Sequence, residues 1–199
     1  MLKRLFDILF SLSALLLLFP IFIIVSLFIF IDSKGGIFYK QTRAGKNGRL
    51  FFILKFRSMK SGSDRKGLLT IGKQDDRITP VGHFIRKYKI DELPQLINVL
   101  LGDMSIVGPR PEVVKYVNLY TNEQKKVLTV KPGITDYASI AYSNESAILG
   151  TVDNPEQAYI HEIMPAKLNL NLKYIKEQSW LTDITIILKT ILKILFQQI

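Results

Sequence analysis

The chain of 199 residues contains no cysteine and only two histidines, His83 and His161. The lack of cysteine excludes a disulfide framework and any thiolate metal site. With so few histidines, a zinc site would depend mainly on carboxylates, and such zinc sites are rare. The length allows one domain with a modest hydrophobic core.

Two common nucleotide-binding motifs are also missing. No glycine-rich loop ends in Gly-Lys-Ser or Gly-Lys-Thr, and no Gly-x-Gly-x-x-Gly stands between a strand and a helix. Acidic residues are outnumbered by basic ones, so the net charge is +10 and the expected partners are phosphates, anionic lipid headgroups or nucleic acid. Since no nucleic-acid-binding signature accompanies this charge, we expect no nucleic acid among the partners.

One long segment, residues 8–31, carries no charge at all. As a helix it would extend roughly 36 Å, enough to cross the hydrocarbon core of a bilayer. It is too long for the apolar region of a signal peptide, and no small-residue cleavage site follows it. It is therefore predicted to be a retained membrane element.

Pro20 lies near the middle of this segment, where it removes a backbone hydrogen bond and favours a kink. Basic residues flank both ends, as the positive-inside rule predicts when both ends face the cytoplasm. They are Lys3 and Arg4 before the segment, and Lys34, Lys40, Arg43, Lys46 and Arg49 after it. We expect residues 1–34 to form a re-entrant membrane helix broken at Pro20, and a straight membrane span is the alternative.

The C-terminal region is apolar with a helical period. The apolar positions are Leu181, Ile184, Ile187, Leu188, Ile191, Leu192 and Leu195, while Lys189 and Lys193 fall elsewhere on the helix. Such a helix either lies in the membrane interface, with its lysines toward anionic headgroups, or packs on the protein's own core. Trp180 at its start suits an interfacial anchor.

In the soluble part, residues 37–41 and 50–57 flank Asn47-Gly48, a strong signal for a β-hairpin. Lys55 and Arg57 are two residues apart on the second strand, so their side chains are expected on the same face. Such a pair suits a diphosphate, although solvated charges on a strand are more common.

Asp91 and Glu92 stand side by side among basic residues, just before a proline. Carboxylates near fixed positive charge stay ionised and can serve as nucleophile, metal ligand or base. Alternatively, Asp91 is the N-cap of a helix over residues 92–101 that Gly102 ends. The two interpretations are compatible, because a helix N-terminus also attracts phosphate.

Two arginines are candidates for binding phosphate. Arg86 lies on a helix predicted to start at Thr79-Pro80, a typical N-cap followed by proline in the first turn. Arg110 stands between two prolines, which hold its backbone in a stiff conformation. A planar guanidinium can bind two phosphate oxygens at once, although a structural corner with an incidental arginine is the alternative.

These patterns predict a mainly helical α+β protein with a small β-hairpin, in which residues 35–199 form one functional domain. Short amphipathic helices are expected over residues 112–120 and 122–128, followed by a turn at residues 131–134. Residues 60–67 are typical of a mobile polar loop and are a candidate lid.

Several motifs occur in order along nearly the whole chain. They are Lys3-Arg4-Leu-Phe-Asp7, the apolar segment with its proline, Gln41-Thr-Arg-Ala-Gly45, Lys55-Phe-Arg-Ser-Met59, Arg86, Asp91-Glu-Leu-Pro-Gln-Leu-Ile-Asn-Val-Leu100, Gly102-Asp-Met-Ser105, Gly108-Pro-Arg-Pro111 and Lys131-Pro-Gly-Ile-Thr135. With them the chain resembles the bacterial sugar transferase family, the monotopic phosphoglycosyl transferases that act on polyprenyl phosphate. Phe19 and the segment after Thr135 depart from the family pattern, which often has serine before the membrane proline and an arginine in that later segment.

The resemblance implies transfer of a sugar 1-phosphate from a UDP-sugar to polyprenyl phosphate, with release of UMP, at the cytoplasmic face of a bacterial inner membrane. It implies that Asp91 is the nucleophile and Glu92 its partner, with Mg²⁺ bridging these carboxylates and the diphosphate. The phosphate-binding candidates are first Arg86 and Arg110, then Lys55, Arg57 and Arg43. A homodimer is compatible with this expectation, and a non-catalytic membrane adaptor that binds anionic lipids or polyanions is the alternative function.

Overall fold

The computed structural model describes residues 2–63, 67–72 and 75–196. The helices are α1 Leu2–Asp32, α2 Pro80–Lys87, α3 Gln95–Leu101, α4 Val114–Val117, α5 Tyr137–Ala141, α6 Glu145–Leu149, α7 Pro155–Ala158, α8 Met164–Glu177 and α9 Trp180–Phe196. The strands are β1 Phe38–Ala44, β2 Leu50–Phe56, β3 Ser105–Val107 and β4 Gly133–Thr135. The predicted α+β class is confirmed. The expected loop at residues 60–67 lies partly outside the described residues.

β1 and β2 form the predicted antiparallel hairpin, in which Tyr39 pairs with Lys55. Its turn places Asn47 at φ 56° and Gly48 at φ 75°. These left-handed conformations are ones that asparagine and glycine adopt more readily than other residues. The Asn-Gly signal therefore fixes the hairpin locally.

The segment between α3 and α5 differs from the sequence prediction. The expected helices are shorter, because only α4 and a 3-10 helix at Gln124–Thr129 form there. Instead of a simple turn at residues 131–134, β4 pairs in parallel with β3. A Cβ on Gly133 would lie 2.1 Å from the backbone nitrogen of Gly108, so this close approach requires glycine. The Gly133 amide donates to the Pro109 carbonyl at 3.0 Å, so the Pro-Arg-Pro segment lies against β4.

The predicted break at Pro20 is wrong, because α1 continues as one helix through that residue. Loss of one hydrogen bond to proline need not interrupt a long helix. One stripe of α1 packs against the rest of the protein, through Ser11, Ala14, Leu15, Leu18, Phe22, Val25 and Ile29. The remaining surface is apolar and exposed, and α1 is long and apolar enough to cross a membrane.

α9 packs on the protein's own core, which is one of its two predicted positions. Ile186 is fully buried in the main core, beside Tyr174 of α8 and Met104, which precedes β3. The opposite side of α9 leaves Leu188 and Leu192 exposed. The helix therefore packs on the core and still presents an apolar surface outward.

Candidate active site

Asp91 and Glu92 lie in a 3-10 turn, Ile90–Glu92, that connects α2 to α3. The chain enters this turn through Lys89 in a left-handed conformation, and α3 starts only at Gln95 with no side-chain cap. The predicted N-cap role of Asp91 is therefore wrong, although α3 does end at Gly102. Both carboxylates are turned inward, and the two residues are 4% and 9% exposed.

Glu92 is held by two cations. Arg110 binds it in a bidentate manner, with Nη1 donating to Oε2 at 3.0 Å and Nη2 donating to Oε1. Lys55 Nζ donates to Oε1 at 3.1 Å. Burial opposes ionisation of Glu92, but Arg110 and Lys55 outweigh it and hold its pKa well below the usual range. Glu92 is therefore ionised and fixes both cations at the site.

Asp91 has the opposite environment. Burial, and then the charge of Glu92, raise the pKa of Asp91 against the opposing effects of Lys55, Arg86 and Lys89. Its Oδ1 atom is buried and accepts no hydrogen bond from the described residues. A buried polar atom without a partner costs about 1–3 kcal/mol, so such an atom commonly marks a ligand position.

Arg110 is positioned through its backbone by a residue that the sequence analysis missed. The Arg110 amide donates to Oδ2 of Asp136 at 3.2 Å, while Oδ1 of Asp136 accepts from the Ser139 amide at 2.6 Å. Asp136 thus caps α5 and fixes Arg110 at the same time. The only available signal was an aspartate just before a short helix, in the segment that departs from the family pattern.

The other predicted phosphate ligands are less closely grouped. Arg86 donates to Thr70 Oγ1 at 2.9 Å and lines the same cleft as Asp91. Arg43 is engaged by Gln41 and by Glu112, at 2.6 and 3.2 Å.

Arg57 directly follows β2, and the hydrogen-bond partners of its side chain differ from those of Lys55. Its Nη2 atom donates to the carbonyls of Ile29 and Ser33 at the end of α1, at 3.2 and 2.6 Å. The Ile29 carbonyl also accepts from the Ser33 amide at 3.4 Å, and Ser33 directly follows α1, so these bonds tie Arg57 to the C-terminal end of the helix. Two other guanidinium nitrogens of Arg57, Nε and Nη1, are buried without a partner among the described residues. The contacts of Arg57 therefore anchor α1, although the residue still lines the cleft.

These groups surround a cleft of about 1360 Å³. Its charged part contains Asp91, Glu92, Lys55, Arg86 and Arg110. Its apolar part comes from α1 and α9, through Phe10, Ala14, Leu18, Ile187, Ile191 and Ile194. The cleft therefore joins a cationic centre to the two helices that carry the exposed apolar surfaces.

A family model described as bacterial sugar transferase matches residues 1–197. The chain belongs to this family. It is 38% identical to the UDP-glucose:undecaprenyl-phosphate glucose-1-phosphate transferase of Escherichia coli (strain K12), over 97% of this chain and 40% of that protein. It is also 38% identical to the exopolysaccharide production protein PSS of Rhizobium leguminosarum bv. phaseoli, over 96% of this chain and 93% of that protein. The chain therefore spans less than half of the first relative and nearly all of the second.

The donor set at the site suits a hard cation. Among the described residues no group of three or more histidine, cysteine or acidic side chains could hold a metal by itself. Mg²⁺ commonly binds through one or two carboxylates together with substrate phosphates and water. In the described part of the chain, Oδ1 of Asp91 has no partner and fits this mode, and Oε2 of Glu92, which accepts only from Arg110 there, keeps lone-pair capacity.

Proposed function

We propose that this bacterial sugar transferase moves a sugar 1-phosphate from a UDP-sugar to a polyprenyl phosphate such as undecaprenyl phosphate. The observation that carries the proposal is the buried oxygen of Asp91 that has no partner among the described residues, with Lys55 in electrostatic range and Arg110 bound to the adjacent Glu92. A carboxylate in this position can attack a phosphate that the cations hold. Relatives named for transfer of sugar phosphates to undecaprenyl phosphate support this substrate class.

The reaction proceeds in two displacements at phosphorus. An Asp91 oxygen attacks the β-phosphorus of the UDP-sugar, the bond to the bridging oxygen of the α-phosphate breaks, and UMP leaves. A phosphate oxygen of the acceptor lipid then attacks the acyl phosphate. The aspartyl oxygen–phosphorus bond breaks, which restores the Asp91 carboxylate and gives a polyprenyl diphosphate sugar.

Charge neutralisation makes the first displacement possible, because both the nucleophile and the phosphate are anionic. Arg110 and Lys55 supply fixed positive charge at the diphosphate, with Arg86 on the same cleft. Mg²⁺, held by Asp91 and Glu92, would supply further neutralisation of the phosphate oxygens.

Asp91→Asn tests the nucleophile directly. The purified variant should release no UMP from a UDP-sugar with Mg²⁺ and polyprenyl phosphate, because the amide cannot form the acyl phosphate. Wild-type protein incubated with a radiolabelled UDP-sugar but no acceptor should retain label after acid quenching, and Asp91→Asn should not. Asp153→Asn, at an exposed position, is the matched control and should behave as wild type. Turnover or labelling by Asp91→Asn would refute the covalent route.

We also propose that both ends of α1 lie on the cytoplasmic side. Near its start, Asp7 accepts hydrogen bonds from Ser105 and from the Ile106 amide, at 3.1 and 3.0 Å. At its end, Arg57 binds the carbonyls of Ile29 and Ser33. A straight span across a hydrocarbon core of about 30 Å would separate these two sets of contacts to opposite sides.

Cysteine labelling tests this topology, since the native chain contains no cysteine. Leu2→Cys and Gly36→Cys should both react with a membrane-impermeant maleimide only from the cytoplasmic side of inner-membrane vesicles. Labelling of the two positions from opposite sides would establish a straight span and overturn the proposal.

A further inference from the structure

A third part of the cleft has no role in the chemistry above. It is formed by α5, α6 and α8, and its polar side chains include Ser139, Glu145, Lys167 and Asn171. We propose that Glu145, Lys167 and Asn171 form the subsite that binds the hydroxyl groups of the donor's sugar ring. This inference rests on the proposed function, because it names the part of the site that holds the transferred sugar.

Asn171 gives the first indication of a ligand. It lies on the side of α8 that faces the core, in line with Leu168 and Tyr174, and is only 4% exposed. Its Oδ1 atom is buried and has no hydrogen-bond partner among the described residues, yet the residue lines the cleft. An amide at a core-facing position without a partner is destabilising, so a bound hydroxyl group would explain it.

The second indication is the ion pair between Glu145 and Lys167. Their side chains are 26% and 14% exposed, with Lys167 Nζ 2.6 Å from Glu145 Oε2. Lys167 also lies over the ring of Tyr159, 5.2 Å from its centroid. A largely buried ion pair contributes little net stability, because desolvation offsets most of the attraction. The pair does place an acceptor and a donor side by side on the cleft wall, an arrangement that suits neighbouring hydroxyls.

This polar wall adjoins the phosphate-binding residues. Asp136 links the Arg110 amide to the Ser139 amide through its two carboxylate oxygens. The charge of Glu92 is the main cause that raises the pKa of Arg110, and the charge of Glu145 is a smaller one. Glu145 therefore lies within electrostatic range of the Arg110 guanidinium. The sugar of the donor is bonded directly to the β-phosphate. Groups that bind its hydroxyls must therefore lie beside the residues that bind that phosphate.

The chemistry of the cleft assigns this wall to the sugar. The phosphates match Lys55, Arg86 and Arg110, and a polyprenyl chain matches the apolar side chains from α1 and α9. A sugar is an uncharged polyol, which matches adjacent amide, carboxylate and ammonium groups that act as donors and acceptors. The uridine of the donor is the competing occupant, and UDP without a sugar distinguishes the two.

The test compares wild type with Glu145→Gln and with the charge-neutral double variant Glu145→Gln/Lys167→Gln. UMP release is measured with UDP-glucose, UDP-galactose, UDP-N-acetylglucosamine and UDP-N-acetylgalactosamine as donors. Both variants should raise KM for the best wild-type donor about tenfold or more, with a smaller change in kcat, and should alter the order of preference among donors. Inhibition by UDP should stay within about twofold of wild type. The double variant leaves no unpaired buried charge, so its circular dichroism should remain native. Glu156→Gln, in the exposed Lys115–Glu156 pair, is the control.

Each outcome has a distinct meaning. Unchanged KM and unchanged donor preference in folded variants would refute the sugar subsite while leaving the proposed function intact. Equal weakening of UDP and UDP-sugar binding would assign the wall to uridine and would also refute the sugar subsite. Absence of UMP release by wild-type protein with every donor would instead refute the proposed function, and the subsite with it.

Discussion

Replacing Glu92 by glutamine should strongly destabilise the ligand-free protein. The change removes one negative charge from between Lys55 and Arg110 and leaves two partly buried cations without their carboxylate. Loss of one partner from a buried ion pair costs about 3–5 kcal/mol. The side chains of Lys55 and Arg110 are 19% and 33% exposed, so water can solvate them in part. The free energy of unfolding is therefore expected to fall by about 3 kcal/mol, near the lower limit of that range.

Thermal unfolding in detergent, followed by circular dichroism, measures this loss. For a chain of this size, 1 kcal/mol corresponds to about 2–4 °C in Tm, so Glu92→Gln should lower Tm by about 6–12 °C. Glu156→Gln is the control, because the side chains of its pair with Lys115 are 46% and 54% exposed and such pairs contribute less than about 1 kcal/mol. A Tm for Glu92→Gln within about 2 °C of this control would refute the idea that Glu92 holds the two cations.

Thermal unfolding with added inorganic diphosphate tests whether Lys55 and Arg110 bind phosphates. In wild type an added diphosphate must compete with Glu92 for Lys55 and Arg110, whereas in Glu92→Gln both cations lack that carboxylate. Diphosphate should therefore raise the Tm of Glu92→Gln more than that of wild type when magnesium is absent. An equal or smaller shift would mean that these cations do not bind the phosphates.

Two substitutions test the fold, and a fluorescence measurement tests the membrane contact. Gly133→Ala should lower Tm sharply or prevent folding, because its Cβ would lie 2.1 Å from the Gly108 nitrogen. Gly36→Ala is the control and should be tolerated, because the nearest atom to its Cβ would be 3.7 Å away. Equal Tm values for the two variants would contradict this expectation. Tyr174→Phe should cost about 1–3 kcal/mol, measured by thermal unfolding, because its hydroxyl donates to Asp183 at 2.7 Å; an unchanged Tm would mean that this bond is dispensable. Trp180 is the single tryptophan and is 49% exposed, so its fluorescence should be quenched by brominated phospholipids in vesicles; no quenching would place the start of α9 away from the bilayer.

The parts of the fold that sequence predicts well depend on local chemistry. Asn47-Gly48 determines the hairpin turn because both residues adopt left-handed backbone conformations. Thr79 caps α2 through its own side chain, which accepts from the Gly82 amide at 3.0 Å. In both cases the residues that carry the signal also make the interaction, so no information from distant parts of the chain is needed.

The parts that sequence predicts poorly depend on contacts between distant segments. β3 and β4 have three residues each, too few for an alternating pattern, and the contact between Gly108 and Gly133 forms only when the two strands meet. Asp136 resembles an ordinary helix cap in sequence, and only the folded chain brings it to the Arg110 amide. Asn171 falls on the buried side of a helix, so periodicity predicts a core position there and gives no indication of a ligand.

Lys55 and Arg57 illustrate why spacing alone could not separate site residues from structural ones. Both are cations two residues apart, and a continuous strand would place them on one face. β2 ends at Phe56, but the Arg57 amide still donates to the Ile37 carbonyl at 2.9 Å, and the Arg57 side chain donates to the carbonyls of Ile29 and Ser33 at the end of α1. Lys55, still within the strand, donates to Glu92. The contacts of the two side chains, rather than their spacing, thus separate a cation that anchors α1 from one at the candidate site. Substitution of either is expected to reduce activity, but only loss of Arg57 should also loosen α1 from the domain.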